Sequence, residues 1–509
     1  MSDDQTSLYA ARVPIFPRRV SGYFRRLKWV IMIVTLGIYY ITPWIRWDRG
    51  PNLPDQAVLV DMANRRFYFF WIEIWPHEFY FVAGLLVMAG VGLFLFTAML
   101  GRVWCGYACP QTVWTDLFLV VERWVQGDRN ARMRLHNSKW DARKIRLKVT
   151  TWALWLMIAV ATGGAWVFYF TDAPTLLFNL VTFQAPGIAY MTIFVLTMTT
   201  FVFGGFMREQ VCIYMCPWPR IQGAMMDDDT LTVAYREWRG EPRTRGKKRR
   251  EAAAEASAAG PQIGGRSPLI TMPGVRNTTT GKFARAEGPG DCIDCNACVN
   301  VCPMGIDIRD GQQLACITCA LCIDACDEVM EKTGAARGLI DYVALSDAPR
   351  EAAGGDPINV RKHLMRPRNY VYAGVWAAFG LALLFALFIR PDIEMTVAAV
   401  RNPTFVVLSD GSVRNAYDVR LRNKHGEERP FALSVSADSG VVLSVEGADT
   451  DDIVMVPADA QHRVRVYLTA ASGTPVSTRE RTNLDLWVED TESGERASVG
   501  TSFNGRENQ

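Results

Sequence analysis

Histidine is nearly absent: His77, His136, His363, His425 and His462 are the only five in 509 residues, and none falls inside a long apolar run. A bis-histidine haem b held within a membrane is thereby excluded as a resident cofactor. His77 sits at the outer edge of the second apolar run. His425 and His462 lie in a polar tail, where surface positions are expected. No G-x-G-x-x-G fingerprint occurs either, so direct electron uptake from NADH through a dinucleotide-binding fold is not expected. The C-x3-C-x2-C run of radical-SAM enzymes is missing too, because Thr112 stands three residues after Cys109 and Pro219 three after Cys216. No cysteine follows Cys326, so the end of the chain must fold on its core alone. The basic N-terminus leads into no short apolar core with a small-residue cleavage site, so a cleaved signal peptide is not expected.

The 12 cysteines that are present form two sets. Cys292, Cys295, Cys298 and Cys302 make C-x2-C-x2-C-x3-C, closed by Pro303, and Cys316, Cys319, Cys322 and Cys326 repeat the spacing with Asp327 in place of the proline. Three thiolates on a tight loop cap three irons of a cubane, and the fourth ligates the other cluster of the pair. One [4Fe–4S] cluster is therefore assigned to Cys292, Cys295, Cys298 and Cys326, the second to Cys316, Cys319, Cys322 and Cys302. Zinc ribbons also use paired C-x2-C knuckles, but they have no need of a third and fourth cysteine at these spacings, twice over. Thiolates for clusters also call for a reducing compartment.

Five apolar stretches are long enough to span a bilayer as helices, at about 29–47, 79–100, 150–170, 187–206 and 370–389. Lys and Arg alternate between the segments they separate: six in the N-terminal tail, three in 48–78, ten in 101–149 and none in 171–186. The rule that positive loops stay inside makes the N-terminus and the cluster segment cytoplasmic and the C-terminus periplasmic. After the fourth span, the basic run Arg239–Arg250 reads as facing solvent or lipid headgroups. The Ala-, Gly- and Pro-rich stretch that follows, to about 290, reads as flexible linker. Past 389 the chain turns polar, with short alternating runs such as FALSVS and HRVRVYL between turn signals. That pattern predicts about seven strands in an immunoglobulin-like two-sheet sandwich.

The remaining four cysteines form an internal repeat, C-x-Y-x-C-P: Cys105, Tyr107, Cys109 and Pro110, then Cys212, Tyr214, Cys216 and Pro217. Arg102 and Arg208 precede the two copies. The i, i+4 spacing puts both sulfurs of a copy on one face of a helical turn, and the proline should break each helix at the second cysteine. Both copies end spans on the cluster side, so four thiols can converge at the membrane surface. Four thiolates suit Cu(I), zinc or a further cluster. Met207, Met215, Met225 and Met226 are nearby thioethers, though packing is the usual role of helical methionine.

With PWIRW, RRFYFF, WCGYACPQTVWTD, CIYMCPWPRIQ, both cluster runs and the tail, nearly the whole chain resembles the cytochrome c oxidase accessory proteins called CcoG, FixG or RdxA. The resemblance implies a bacterial inner-membrane polyferredoxin that reduces Cu(II) to Cu(I) for assembly of cbb3-type cytochrome oxidase. Copper is then substrate or bound ion, with Cys105, Cys109, Cys212 and Cys216 as the catalytic copper site. A quinol-linked electron conduit and a non-catalytic assembly scaffold are the alternatives. Expected partners are membrane lipid, an unidentified cytoplasmic electron donor, and copper chaperones or oxidase assembly factors. No nucleic acid is expected, and a homodimer stays open. The organisation expected is a basic tail (1–28), a four-span region (29–206), the second motif and linker (207–290), a two-cluster ferredoxin domain (291–345), a connector (346–369), the fifth span (370–389) and the β domain (390–509).

Overall fold

Five helices are long and apolar enough to cross a membrane: Tyr23–Trp44, Tyr80–Leu100, Ala142–Val167, Gly187–Met207 and Pro367–Phe388. The computed structural model describes residues 13–50, 53–244, 290–355, 359–391, 393–436, 440–447, 452–458 and 460–506. Most of the expected linker lies outside these. The first helix starts six residues before the expected 29, because its basic turn is not left to solvent. Arg25 forms a buried two-pronged pair with Asp116, both oxygens at 2.9 Å, and Lys28 lies 3.9 Å from the same carboxylate. The third starts at Ala142, where the Asp141 side chain accepts from the Lys144 backbone N–H at 2.7 Å and caps the first turn. The third and fourth helices approach closely through small residues. A Cβ on Gly163 would lie 2.8 Å from the Ile193 carbonyl oxygen.

The chain divides into two compact units, one of residues up to Ile45 with Val58–Ala382, the other of Arg46–Ala57 with Leu383 onward. In the first unit, the segment expected as a loop after the first span folds as a three-stranded antiparallel sheet. Its strands are β1 (Val58–Asp61), β2 (Arg66–Phe69) and β3 (Ile72–Ile74). The segment before the linker supplies β4 (Thr232–Tyr235), which pairs with β5 (Ile340–Val343) in register Val233↔Tyr342. Arg239 then bonds the buried Asp291 at 2.5 Å, one residue before the first cluster cysteine. Among the described residues, Gly290 lies beside Pro242, its N–H donating to the Pro242 carbonyl at 3.1 Å.

The second unit is the expected sandwich. One sheet orders β10 (Val441–Val445), β12 (Gln461–Ala470), β8 (Val413–Asn423) and β6 (Ile393–Ala399), with β7 (Val406–Val407) beside β8. The other orders β11 (Ile453–Val456), β9 (Arg429–Val435), β13 (Arg481–Asp490) and β14 (Arg496–Asn504). Alternation along β8 buries Tyr417, Val419 and Leu421 against Phe431, Leu486, Val488 and Phe503. Without cysteine the sheets are tied by polar links as well as by apolar packing: the Tyr417 hydroxyl donates to the Ser502 carbonyl at 2.8 Å. His462 is exposed and His425 half-buried.

Candidate electron-transfer site

Each ferredoxin run begins as a loop that an ordinary chain would avoid. Asp294 and Asn296 in the first run have φ of 48° and 56°, and Thr318 and Ala320 at the matching positions of the second have 54° and 57°. Left-handed backbone at a non-glycine residue costs about 1–2 kcal/mol, and for the β-branched Thr318 it is a marked outlier. Four such residues at paired positions give the same tight turn twice, which aims backbone N–H groups at the sulfurs. The Thr318 N–H lies 3.5 Å from Cys316 Sγ. Each turn passes into a short helix, Ala297–Val301 or Leu321–Thr333.

Separate contacts hold the two turns. Arg309 clamps the first, donating to Asp294 at 2.7 Å, Asn296 at 2.6 Å and Asp307 at 2.8 Å. Two tyrosines hold the second: Tyr342 donates to the Thr318 carbonyl and Tyr107 to the Cys319 carbonyl, each at 3.1 Å. One cavity is lined by Cys292, Cys295, Cys298 and Cys326, with Tyr235 and Ile340. A second is lined by Cys302, Cys316, Cys319 and Cys322, together with Cys298. The fourth cysteine of each run thus turns to the other run's turn. Burial, then neighbouring thiols, pushes Cys326 upward, with Cys298 the first of them. Burial and Cys319 push Cys302 up to about 12. These cradles suit a cubane, whose iron displaces the thiol protons on binding.

The two membrane-cysteine copies share one backbone course. In each the long helix stops at a left-handed residue, Gly101 (φ 63°) or Arg208 (φ 43°). A short helical turn follows, α-helical over Val103–Tyr107 and π-helical over Val211–Met215. π-Turns recur at functional sites. The second cysteine then leaves the helix, with ψ of 128° at Cys109 and 120° at Cys216. Proline opens the next stretch, as expected of the residue before it. The thiols bear on one another's charge: burial, Cys109 and Cys212 push Cys105 up to about 12, and burial, Cys109 and Cys216 do the same to Cys212. Cys105 donates to Gln222 Oε1 at 3.0 Å, and the buried Gln222 donates on to Thr97 at 3.2 Å. Among the described residues, no three His, Cys, Asp or Glu side chains are gathered around a single metal-sized point.

Contacts between the motifs and the cluster turns were not foreseeable from spacing. Arg102 donates to the Leu314 carbonyl, to the Cys316 carbonyl at 3.3 Å and to the Pro219 carbonyl at 2.7 Å, joining the first motif to the second cluster turn and to the helix that follows the second motif. Cys105, Cys319, Ile317 and Val301 share one apolar core, against which Cys212, Cys302 and Cys322 pack. Of the methionines, Met225 is buried and Met215 exposed, while Met226 lines a cavity of about 260 Å³ beside Arg102, Cys316, Asp227 and Asp228.

Family profiles match three parts of the chain. A 4Fe-4S dicluster domain covers 207–267 and 264–345, a 4Fe-4S binding domain covers 81–130, and the Ig-like fold at the C-terminus of FixG covers 383–506. The chain is 61% identical to Protein RdxB of Cereibacter sphaeroides over 507 residues, covering 99% of each. It is 56% identical to Protein RdxA of the same organism, covering 98% of each. Against the nitrogen fixation protein FixG of Rhizobium meliloti it is 53% identical, covering 98% of this chain and 94% of that one.

Proposed function

Because the chain belongs to the family of RdxA, RdxB and FixG, an iron–sulfur oxidoreductase family, we propose that it passes electrons through two [4Fe–4S] clusters to copper at the membrane surface, reducing Cu(II) to Cu(I). The observation that carries this is the contact of the first C-x-Y-x-C-P motif with the turn of Cys316–Cys322, made by Arg102 and Tyr107. Cys292, Cys295, Cys298 and Cys326 would hold one cluster, and Cys302, Cys316, Cys319 and Cys322 the other. When bound, the clusters supply one-electron chemistry at low potential. The protein buries the thiols, holds the turns by hydrogen bonds and shields most of the cradle from water. Cys105, Cys109, Cys212 and Cys216 receive the copper. Soft thiolates favour Cu(I) over Cu(II), which raises the copper potential and makes its reduction downhill. The N-terminus and clusters face the cytoplasm, and the product serves assembly of cbb3-type oxidase, as the family resemblance implies.

A second reading has its own support: the four membrane cysteines hold a third cluster. The 4Fe-4S profile over 81–130 spans Cys105 and Cys109, and the dicluster profile from 207 spans Cys212 and Cys216. Anaerobic purification with iron, sulfide and copper analysis, followed by a Cu(II)-reduction assay, separates the two. Joint replacement of Cys109 and Cys216 by serine should abolish copper binding and reduction and leave about eight irons per chain. Loss of about four irons from the wild-type content in that variant would establish the third cluster instead.

A further inference from the structure

We infer that the two C-x-Y-x-C-P motifs are not equivalent. The first, through Gly106 and Tyr107, is the contact by which electrons leave the ferredoxin part, and they leave from the Cys302, Cys316, Cys319 and Cys322 set. This rests on the electron-transfer reading above and gives it an order.

Gly106 fills the first variable position of its motif. A Cβ there would lie 2.6 Å from the Ile317 carbonyl oxygen, 3.0 Å from Cys319 Cα and 3.1 Å from Cys319 N. No side chain fits, so glycine alone lets the motif backbone lie on the cluster turn. The matching residue of the second copy is Ile213. Tyr107 is 4% exposed and bonds the Cys319 carbonyl, whereas Tyr214 is 51% exposed. Arg102 reaches the cluster turn, whereas Arg208 turns to Glu122 at 3.0 Å and the Gly205 carbonyl at 2.8 Å. Two matched positions, and the arginine that precedes each motif, therefore differ in the same sense.

The two cluster sets are equally unlike. Cys319 shares its apolar core with Cys105, while Cys292 and Cys298 lie in a different one with Val233 and Leu339, against which Cys316 and Cys322 also pack. Cys295 is exposed, so a soluble one-electron reductant reaches the Cys292 set. Tunnelling decays exponentially with the gap it crosses, and the close Gly106–Cys319 backbone approach shortens the path between the motif and the second cluster turn. The donor loses one electron, and the acceptor at Cys105, Cu(II) becoming Cu(I) in the reading above, gains it. No bond is made or broken and no proton need move.

The test uses the full chain, purified anaerobically and titrated electrochemically while the cluster paramagnetic signals are followed. Cys292→Ser and Cys316→Ser assign each signal to its set. Gly106→Val should keep about eight irons, shift the midpoint potential of the Cys316-set signal alone, and slow its reoxidation by Cu(II) about tenfold or more. Tyr107→Phe removes only a hydroxyl and should shift the same signal, because hydrogen bonding around a cluster sets its potential. Tyr214→Phe should shift neither. Equal shifts from the two tyrosine variants, or a shift confined to the Cys292-set signal, would overturn the inference. If Gly106→Val loses iron, the tyrosine pair decides. Wild-type protein that reduces no Cu(II) yet shows the selective shift would refute the copper reading and leave the order of the sets standing.

Discussion

Asp116 is the residue on which the start of the first helix depends. Burial pushes its carboxyl up, but Lys28 and Arg25 outweigh that and hold it below the ordinary carboxylate range. The pair is fully enclosed, with side-chain exposures of 8% and 6%. Removing one partner of such a pair leaves an uncompensated charge, so Asp116→Ala should cost about 3–5 kcal/mol, read as a lower thermal midpoint in detergent. The sign of the pH effect follows from the depressed folded value. The stabilisation is fully present above the unfolded carboxylate value of about 3.9 and is lost only as pH falls through the lower folded one. Wild type should therefore lose more stability than Asp116→Ala between pH 5 and strong acid, by roughly the amount the pair contributes. None of this was legible in the sequence, where Arg25 and Lys28 counted only as topology charges. The 4Fe-4S character of the ferredoxin part was legible, because the cysteine spacing that signals it is local. Asp116 lies 91 positions from Arg25, and one chain carries no sign of such a pairing.

At the scale of the element, the cluster turns show what spacing can and cannot convey. The cysteines dictate a tight loop, but the residues that must be left-handed, Asp294, Asn296, Thr318 and Ala320, include only one asparagine and no glycine. The strain is tolerated because hydrogen bonds from Arg309, Tyr342 and Tyr107 hold the turns. Ala320→Val puts a β-branched residue in left-handed backbone and should add at least about 1 kcal/mol of strain. Its expected outcome is loss of about four irons per chain from the second set alone, checked by iron analysis and the surviving paramagnetic signal. Retention of both signals at full intensity would show that the turn is not strained at this position. The sandwich was legible for the opposite reason: period-two alternation runs along whole strands such as β8 and needs no distant partner to be seen. The sheet β1–β3 was missed because its strands are short and sit inside a loop judged only for charge. The π-turn at Cys212 left no signal at all, since it differs from an α-turn by a single hydrogen-bond register.

For the molecule as a whole, the five long helices follow from length and apolar composition, and their number decides which ends share a side. In the proposed topology, an odd count would put the N-terminus and the C-terminal domain on opposite sides. The proposed orientation rests on the Lys/Arg excess in the tail and in 101–149, which the positive-inside rule assigns to the inside. Part of that excess does structural work: Arg25, Lys28, Arg132 and Lys144 are buried in ion pairs or bonded to backbone carbonyls. Orientation must therefore be carried by the rest, such as Arg18, Arg26, Arg129 and Arg143, which are exposed or half-exposed. The clusters constrain it independently, because the exposed Cys295 is an oxidation hazard in any compartment that is not reducing. Both arguments support the proposed orientation, in which the ferredoxin part would face the cytoplasm and the sandwich, which has no cysteine to protect, the periplasm. A reporter active only outside the cytoplasm should accordingly be active when fused after Ile389 and silent when fused after Cys326. The reverse pattern would put the thiolates in an oxidising compartment, and electron delivery from a cytoplasmic donor would fail with it.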